Sequence, residues 1–272
     1  MKLIHIVLSL IFGLLFVPAS AYQTQRIAVP SLVMGTSPNS TVILPDRYSS
    51  GDGRFPTIYL LHGWSGNDTD WSTQTTVGHL ADQYNLIIVM PDGGYDKWYI
   101  DSPVSPKNKY ETYVGKEVVD YIDHHYRTIA TRDARAITGL SMGGFGALNI
   151  AINNATDFGA AGSISGGVDP RAFPTKWGLE NVFGDPVGNA DYWNSKALIN
   201  NANRFAGIDL AIECGVDDFF IDSNRALHQR LVELKVPHDY TERPGGHTWD
   251  YWSNAIKYQV LFFSDKFQEK LK

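Results

Sequence analysis

A serine lies between two glycines in the segment Gly139-Leu140-Ser141-Met142-Gly143, which follows a short apolar run and precedes a small-residue stretch. The G-x-S-x-G pattern is typical of a tight strand-to-helix turn that exposes a nucleophilic hydroxyl and tolerates only small neighbours. The same turn places the backbone N–H of Met142 at a helix start, where it can stabilise the negative oxygen formed during acyl transfer. The motif predicts Ser141 as a nucleophile and Met142 as one oxyanion donor. Because the chain holds 25 glycines, the match alone is weak and needs support from other residues.

A serine hydroxyl needs a base to take its proton and a third group to orient that base. Where this turn occurs, the partners follow in the chain order Ser, Asp or Glu, His, each after a later strand. The apolar run 208–214 leads to Asp217 and Asp218, and the strand-like segment 239–241 leads to His247. His247 is therefore predicted as the base. Spacing does not distinguish Asp217 from Asp218 as the orienting acid, and we expect the other one to cap the helix that follows.

One other histidine, His62, also follows an apolar strand. It precedes Ser141, however, at the place where this chain order puts a loop that completes the oxyanion hole. We therefore interpret His62 as structural or loop-shaping rather than as the base. In its loop, residues 62–66, the backbone N–H of Trp64 is the predicted second oxyanion donor, and a plain glycine turn is the competing interpretation.

The elements that must position these residues alternate along the chain. Short apolar runs closed by Gly, Pro or Asp predict strands buried on both faces, and helical patterns lie between them. This alternation predicts an α/β fold with a mostly parallel central sheet and helices on both faces. The predicted strands are 41–44, 56–61, 86–90, 134–138, 159–165, 208–214 and 239–241, and the predicted helices are 113–126, 145–153, 223–235 and 249–268.

Residues 1–21 differ from the rest of the chain. Lys2 precedes an apolar stretch, and Pro18 precedes the small residues Ala19-Ser20-Ala21, which together predict a secretory signal peptide rather than a membrane anchor. We thus expect a secreted or periplasmic protein with a single catalytic domain over residues 22–272. Within that domain, residues 168–205 mix Pro and Gly with aromatics, so this interval is either a lid-like insertion or a surface excursion whose aromatics pack on the core.

Composition disfavours several kinds of partner. A net charge of −6 argues against nucleic acid and anionic membrane surfaces, and no second apolar stretch is long enough for stable insertion into a membrane. Cys214 is the only cysteine, and its apolar surroundings predict an inert buried thiol rather than a disulfide or a nucleophile. Because no His, Cys or acidic residues stand at metal-ligand spacing, we expect neither a metal nor an organic cofactor. The sequence leaves the oligomeric state open.

Together these motifs resemble a putative-esterase family of α/β-hydrolases that includes tributyrin esterases, S-formylglutathione hydrolases, feruloyl esterases and mycolyltransferases. The resemblance extends over nearly all of residues 22–272. It implies an α/β-hydrolase fold, Asp218 as the acid because it is the fourth position of a G-x-x-D turn, and Trp64 and Met142 as the oxyanion hole. The segments that carry it are 59–63, 90–93, 98–102, 111–126, 139–144, 214–219 and 244–247, with Trp249 and Trp252.

We expect a serine carboxylesterase that acts through an acyl-enzyme on a small-molecule or polysaccharide ester, with acetyl or feruloyl esters of carbohydrates favoured. Trp64, Trp71, Trp98 and Tyr99 lie near predicted strand ends and are predicted to line the substrate cleft, unless they serve only ordinary packing. The early oxyanion loop has no cysteine of the kind that cytosolic S-formylglutathione hydrolases often carry, and the predicted export also argues against that substrate. The competing functions are a mycolyltransferase-type acyltransferase, a general small-ester hydrolase, a peptidase and a non-catalytic binding protein.

Overall fold

A computed structural model describes residues 22–272, so the predicted signal peptide over residues 1–21 lies outside the described residues. Eight strands form one sheet: β1 (Gln23–Ala28), β2 (Asn39–Leu44), β3 (Thr57–Leu61), β4 (Ile87–Pro91), β5 (Arg135–Gly139), β6 (Ala160–Ile164), β7 (Asp209–Gly215) and β8 (Asp239–Arg243). Their order across the sheet is β1-β2-β4-β3-β5-β6-β7-β8. Strand β2 is antiparallel to both of its neighbours, whereas the pairs from β4 through β8 are parallel. The predicted fold class is confirmed, and each predicted strand is present.

The edge strand β1 is one that the hydrophobic pattern does not predict. Its sequence, QTQRIA, has no apolar run because most of its side chains face solvent. Polar contacts attach it instead: Arg26 Nε lies 2.8 Å from Oδ2 of the buried Asp68, and Thr41 Oγ1 donates to the same oxygen at 2.8 Å. A strand held by its ladder and an ion pair leaves no periodic signal in the sequence.

Helices cover both faces of the sheet. They are α1 (Asp70–Gln74), α2 (Val77–Tyr84), α3 (Tyr110–Thr112), α4 (Val119–His125), α5 (Met142–Asn153), α6 (Leu179–Phe183), α7 (Ala190–Lys196), α8 (Ile221–Glu233) and α9 (Trp249–Lys270). A π-helical turn, Tyr113–Val118, joins α3 to α4, so the predicted helix 113–126 is one helical segment with a wide turn in it. The other three predicted helices correspond to α5, α8 and α9. In the part of the chain that the structure describes, no helix combines the length and apolar character needed to cross a membrane.

Two hydrophobic cores lie on opposite faces of the sheet, and successive residues of β3 point into them alternately. Tyr59 and Leu61 belong to the larger core with the side chains of α5, whereas Ile58 and Leu60 pack with α2 and α9. All four side chains are buried. A strand covered on both faces has no reason to alternate apolar with polar residues, which explains the continuous apolar runs in the sequence.

The irregular interval 168–205 folds into α6, α7 and two short 3-10 helices, Pro170–Ala172 and Leu198–Phe205. Phe183, Trp193 and Phe205 are buried in the larger core, so most of the interval is an integral layer of the domain. Trp177 is only half-buried and lies beside the predicted site. The aromatics Phe183, Trp193 and Phe205 therefore pack on the core, as the second interpretation expects, and the lid-like role stays a prediction.

Cys214 lies in β7 and is fully buried. Burial raises the pKa of its thiol far above the ordinary value, which suppresses the reactive thiolate. We expect the native protein not to react with DTNB at neutral pH, whereas the same sample unfolded in guanidinium chloride releases one equivalent of thionitrobenzoate. Rapid reaction of the native protein would show that the thiol is accessible.

Candidate active site

Ser141 occupies the turn between β5 and α5 in a conformation that non-glycine residues rarely adopt, with φ +54° and ψ −116°. Two backbone hydrogen bonds hold it there: its amide donates to the carbonyl of Ile164 at 2.9 Å, and the amide of Gly167 donates to its carbonyl at 3.2 Å. Strain of this kind persists only where the surrounding structure fixes it from several sides. The turn thus has the geometry that the G-x-S-x-G motif indicates.

The two glycines of the motif are required because other backbone passes very close to them. A Cβ on Gly143 would lie 2.5 Å from the carbonyl oxygens of Leu61 and His62, and one on Gly139 would lie 2.6 Å from that of Leu61. Backbone atoms at such distances cannot move aside without displacing β3. Helix α5 begins at Met142, three residues before the predicted start at residue 145. The sequence pattern missed this first turn because it contains glycines, which are poor helix formers.

Ser141, His247 and Asp218 form one hydrogen-bonded chain. His247 Nε2 lies 2.9 Å from Ser141 Oγ, and His247 Nδ1 lies 2.8 Å from Asp218 Oδ2. The carboxylate is fully buried, and its other oxygen accepts the amide of Phe220 at 2.9 Å. Because a carboxylate faces Nδ1, that nitrogen carries the proton, and Nε2 is left to accept the serine proton. The residues predicted from separate parts of the sequence meet in the arrangement that nucleophilic catalysis needs.

Asp217 does not take part in this chain. Its side chain is exposed to solvent, and its amide donates to the carbonyl of Gly245 at 3.0 Å. The geometry therefore favours Asp218, as the family resemblance implied. The expectation that the other aspartate caps the following helix is wrong, because α8 begins after Phe220 without a side-chain cap. Because the side chain of Asp218 turns into the protein, the side chain of Asp217 lies on the outer side of the turn.

The backbone amides of Trp64 and Met142 are available at this site. In the loops and turns of residues 22–272, no backbone carbonyl accepts a hydrogen bond from either amide. Met142 is the first residue of α5, and the first N–H groups of a helix have no partner within it. Trp64 lines the same cleft as Ser141. Free N–H groups beside a nucleophile are what stabilisation of an oxyanion requires.

A cleft of about 200 Å³ opens beside Ser141. Five of the twelve residues that line it are Trp or Phe. Two of these also pack against the base: the His247 ring lies 4.3 Å from that of Phe219 and 4.9 Å from that of Trp252. Asp70 is the only acidic residue lining the cleft in the described part of the chain, and burial raises the pKa of its carboxyl. The aromatic residues that line the cleft are Trp64, Trp177, Phe219, Trp249 and Trp252.

Of the four aromatics predicted to line the cleft, Trp64 does so and the other three do not. Trp71, Trp98 and Tyr99 are at most 1% exposed, and they donate to backbone carbonyls at 2.9, 3.0 and 3.2 Å, respectively. The competing interpretation, ordinary packing, is correct for these three residues, because the polar atom of each one is hydrogen-bonded inside the fold. The cleft aromatics come instead from the loop after β3, from the interval 168–205 and from segments next to the predicted triad. For Trp249 and Trp252, closeness to His247 in the sequence was the signal that could have placed them in the cleft.

No group of three or more His, Cys, Asp or Glu side chains within residues 22–272 is arranged to hold a metal ion.

A mostly parallel sheet with this turn after β5, and with the acid and base after β7 and β8, defines the α/β-hydrolase fold. The chain belongs to the putative esterase family, whose model matches residues 31–263. The family predicted from the motifs is thus confirmed.

Three relatives show how far the similarity extends. An esterase of Mycobacterium tuberculosis is 32% identical over 250 residues, which cover 79% of this chain but 54% of that protein, so the chain spans about half of its length. An acetyl esterase of Caldicellulosiruptor saccharolyticus is 29% identical over 216 residues, 74% of this chain and 80% of that protein. The solved structure of a ferulic acid esterase superimposes with a TM-score of 0.79 at 27% identity, covering 91% of this chain and 99% of that one.

Proposed function

We propose that this protein is a serine carboxylesterase that hydrolyses short-acyl or aromatic-acyl esters through an acyl-enzyme. The hydrogen-bonded chain from Ser141 Oγ through His247 to Asp218 carries this proposal, with contacts of 2.9 and 2.8 Å. Geometry of this kind activates a hydroxyl that is otherwise a poor nucleophile. The fold and the family are those of esterases, which supports the same chemistry.

The residues define each step. His247 takes the proton of Ser141 as Oγ attacks the ester carbonyl, and Asp218 stabilises the imidazolium that forms. The N–H groups of Trp64 and Met142 donate to the oxyanion. The imidazolium then protonates the departing alcohol, and a water molecule, deprotonated by His247 in turn, attacks the acyl-enzyme to release the acid and regenerate Ser141.

For the natural substrate we favour acetyl or feruloyl esters on carbohydrates. Aromatic walls suit both sugar rings and phenolic acids, because both present flat apolar faces. The wall continues outward from the cleft: the rings of Trp64 and Tyr95 lie 5.2 Å apart, and they are 39% and 58% exposed. Asp70 in the wall disfavours anionic esters and offers an acceptor to a hydroxyl group. The predicted secretion is consistent with a polysaccharide substrate.

The test combines hydrolysis with labelling. We expect the purified protein to hydrolyse p-nitrophenyl acetate, p-nitrophenyl butyrate and methyl ferulate, and to release acetate from acetylated xylan oligosaccharides. Paraoxon should abolish the activity at one equivalent, and mass spectrometry of the digested protein should place the diethylphosphoryl group on Ser141. Failure to hydrolyse any of these esters, or labelling of another residue, would contradict the proposal.

A further inference from the structure

His62 is buried beside the candidate site, and the mechanism above does not use it. Both of its ring nitrogens contact backbone: the amide of Gly93 lies 2.8 Å from Nε2, and the carbonyl oxygen of Gly63 lies 2.8 Å from Nδ1. An amide only donates, so Nε2 must accept and is unprotonated. The proton of the neutral ring is therefore on Nδ1, which donates to the carbonyl of Gly63.

That carbonyl belongs to the same peptide group as the N–H of Trp64, the predicted oxyanion donor. A peptide group is planar, and in its trans form the C=O and N–H bonds point in opposite directions, so fixing one fixes the other. No cis peptide occurs among residues 22–272. The amide of Gly66 also donates to the Gly63 carbonyl, at 3.1 Å. Two donors on its oxygen thus hold the peptide with the Trp64 N–H directed away from His62.

We propose that His62 is a positioning residue for the oxyanion hole: its ring fixes the Gly63–Trp64 peptide, and the amide of Gly93 fixes the ring. This inference rests on the proposed esterase function. Tyr99 contributes from the other side, because its hydroxyl donates to the carbonyl of His62 at 3.2 Å. The loop after β4 therefore supports the donor that the loop after β3 presents.

Two amide substitutions separate the two ring contacts. In His62→Asn, the side-chain amide nitrogen takes the place of Nδ1 and keeps a donor for Gly63, while the contact with Gly93 is lost. In His62→Gln, the side-chain carbonyl oxygen takes the place of Nε2 and keeps an acceptor for Gly93, while the donor to Gly63 is lost. Each variant loses one hydrogen bond and one aromatic ring, so each is the control for the other.

We expect His62→Gln to lower kcat for p-nitrophenyl acetate by about 10²-fold, the lower end of the cost of removing an oxyanion donor, because the Trp64 N–H is misdirected rather than absent. His62→Asn should keep kcat within about 10-fold of the wild type, since the peptide retains its side-chain donor. KM should change little in either variant, and the two melting temperatures should be similar. Equal kcat values in the two variants, or a loss confined to KM, would overturn the proposal. A purely structural histidine would instead lower kcat in parallel with the melting temperature.

The wild-type protein supplies a second measurement that does not depend on variants folding. A crystal structure of its diethylphosphoryl adduct should show the phosphoryl oxygen accepting from the Trp64 N–H, with the Gly63 carbonyl still bound to His62 Nδ1. A phosphoryl oxygen directed away from Trp64, or a rotated Gly63–Trp64 peptide, would overturn the role of His62. An inactive and unlabelled wild type would refute the proposed function, whereas an active wild type with equal variants would refute only the role of His62.

Discussion

Ser141→Ala is expected to lower kcat for p-nitrophenyl acetate by on the order of 10⁴-fold or more, because the proposed acyl-enzyme forms on the Ser141 hydroxyl, which lies 2.9 Å from His247 Nε2. The fold should be unaffected. Alanine retains the Cβ and meets the same backbone strain as serine at φ +54°, and the lost hydroxyl contacts the imidazole of His247 at 2.9 Å. Initial rates and a thermal denaturation curve on the same preparation measure both quantities, with a shift in Tm of no more than a few degrees expected.

Ser165 provides a matched control for this prediction. It is also a buried serine with a positive φ, +50°, at the carboxyl end of a neighbouring strand, β6. Ser165→Ala removes the same atom from a similar backbone but leaves the contact between Ser141 and His247 intact. We expect its kcat to stay close to that of the wild type. The nucleophile is wrongly assigned if Ser141→Ala retains activity or if Ser165→Ala loses as much.

Asp218→Asn is expected to lower kcat by about 10⁴-fold while the site keeps its shape. The asparagine oxygen can still accept the amide of Phe220, which lies 2.9 Å from Asp218 Oδ1. The new NH₂ group, however, faces His247 Nδ1 and selects the tautomer protonated on Nε2, which cannot accept the proton of Ser141. The imidazolium also loses its buried counter-charge. Steady-state kinetics with p-nitrophenyl acetate measure the effect.

Asp217→Asn removes the same charge from the adjacent residue. Because Asp217 is exposed, this variant should keep kcat within about twofold of the wild type, as surface substitutions usually have small effects. A greater loss of turnover in Asp217→Asn than in Asp218→Asn would exchange the roles of the two aspartates. Both variants should unfold at similar temperatures if their folds are intact.

Much of the fold could be predicted because the burial of side chains follows a regular pattern along each strand and helix. Strands buried on both faces appear as apolar runs, and the long helices appear as repeating apolar positions. Strand β1 has no such pattern, since Arg26 attaches it through an ion pair to Asp68. The first turn of α5 is similarly concealed, because Gly143 is present for close packing against β3 rather than for helix formation.

The candidate triad could be located from chain order because each residue follows a strand whose end is fixed by the sheet. The choice between Asp217 and Asp218 depends on which side chain turns inward, and adjacent residues of the same type give no pattern for that. Which aromatic side chains form the cleft walls also depends on which of them turn inward, and closeness to His247 in the sequence was a signal for Trp249 and Trp252 alone. Trp71 and Trp249 pack edge to face with their rings 5.3 Å apart, yet only Trp249 lines the cleft.

A hydrogen bond between Trp98 and Trp177 attaches the main chain of the cleft wall to the core without using the Trp177 side chain. The indole N–H of Trp98 donates to the main-chain carbonyl of Trp177 at 3.0 Å, while the Trp177 side chain lines the cleft. Every amino acid supplies that carbonyl, so replacing the side chain at position 177 does not remove this hydrogen bond. The backbone there has φ +50°, which Asn and Gly adopt readily. A change of side chain at position 177 is thus expected to alter the shape of the cleft and to remove the ring that stacks on Phe219, while the hydrogen bond to Trp98 remains.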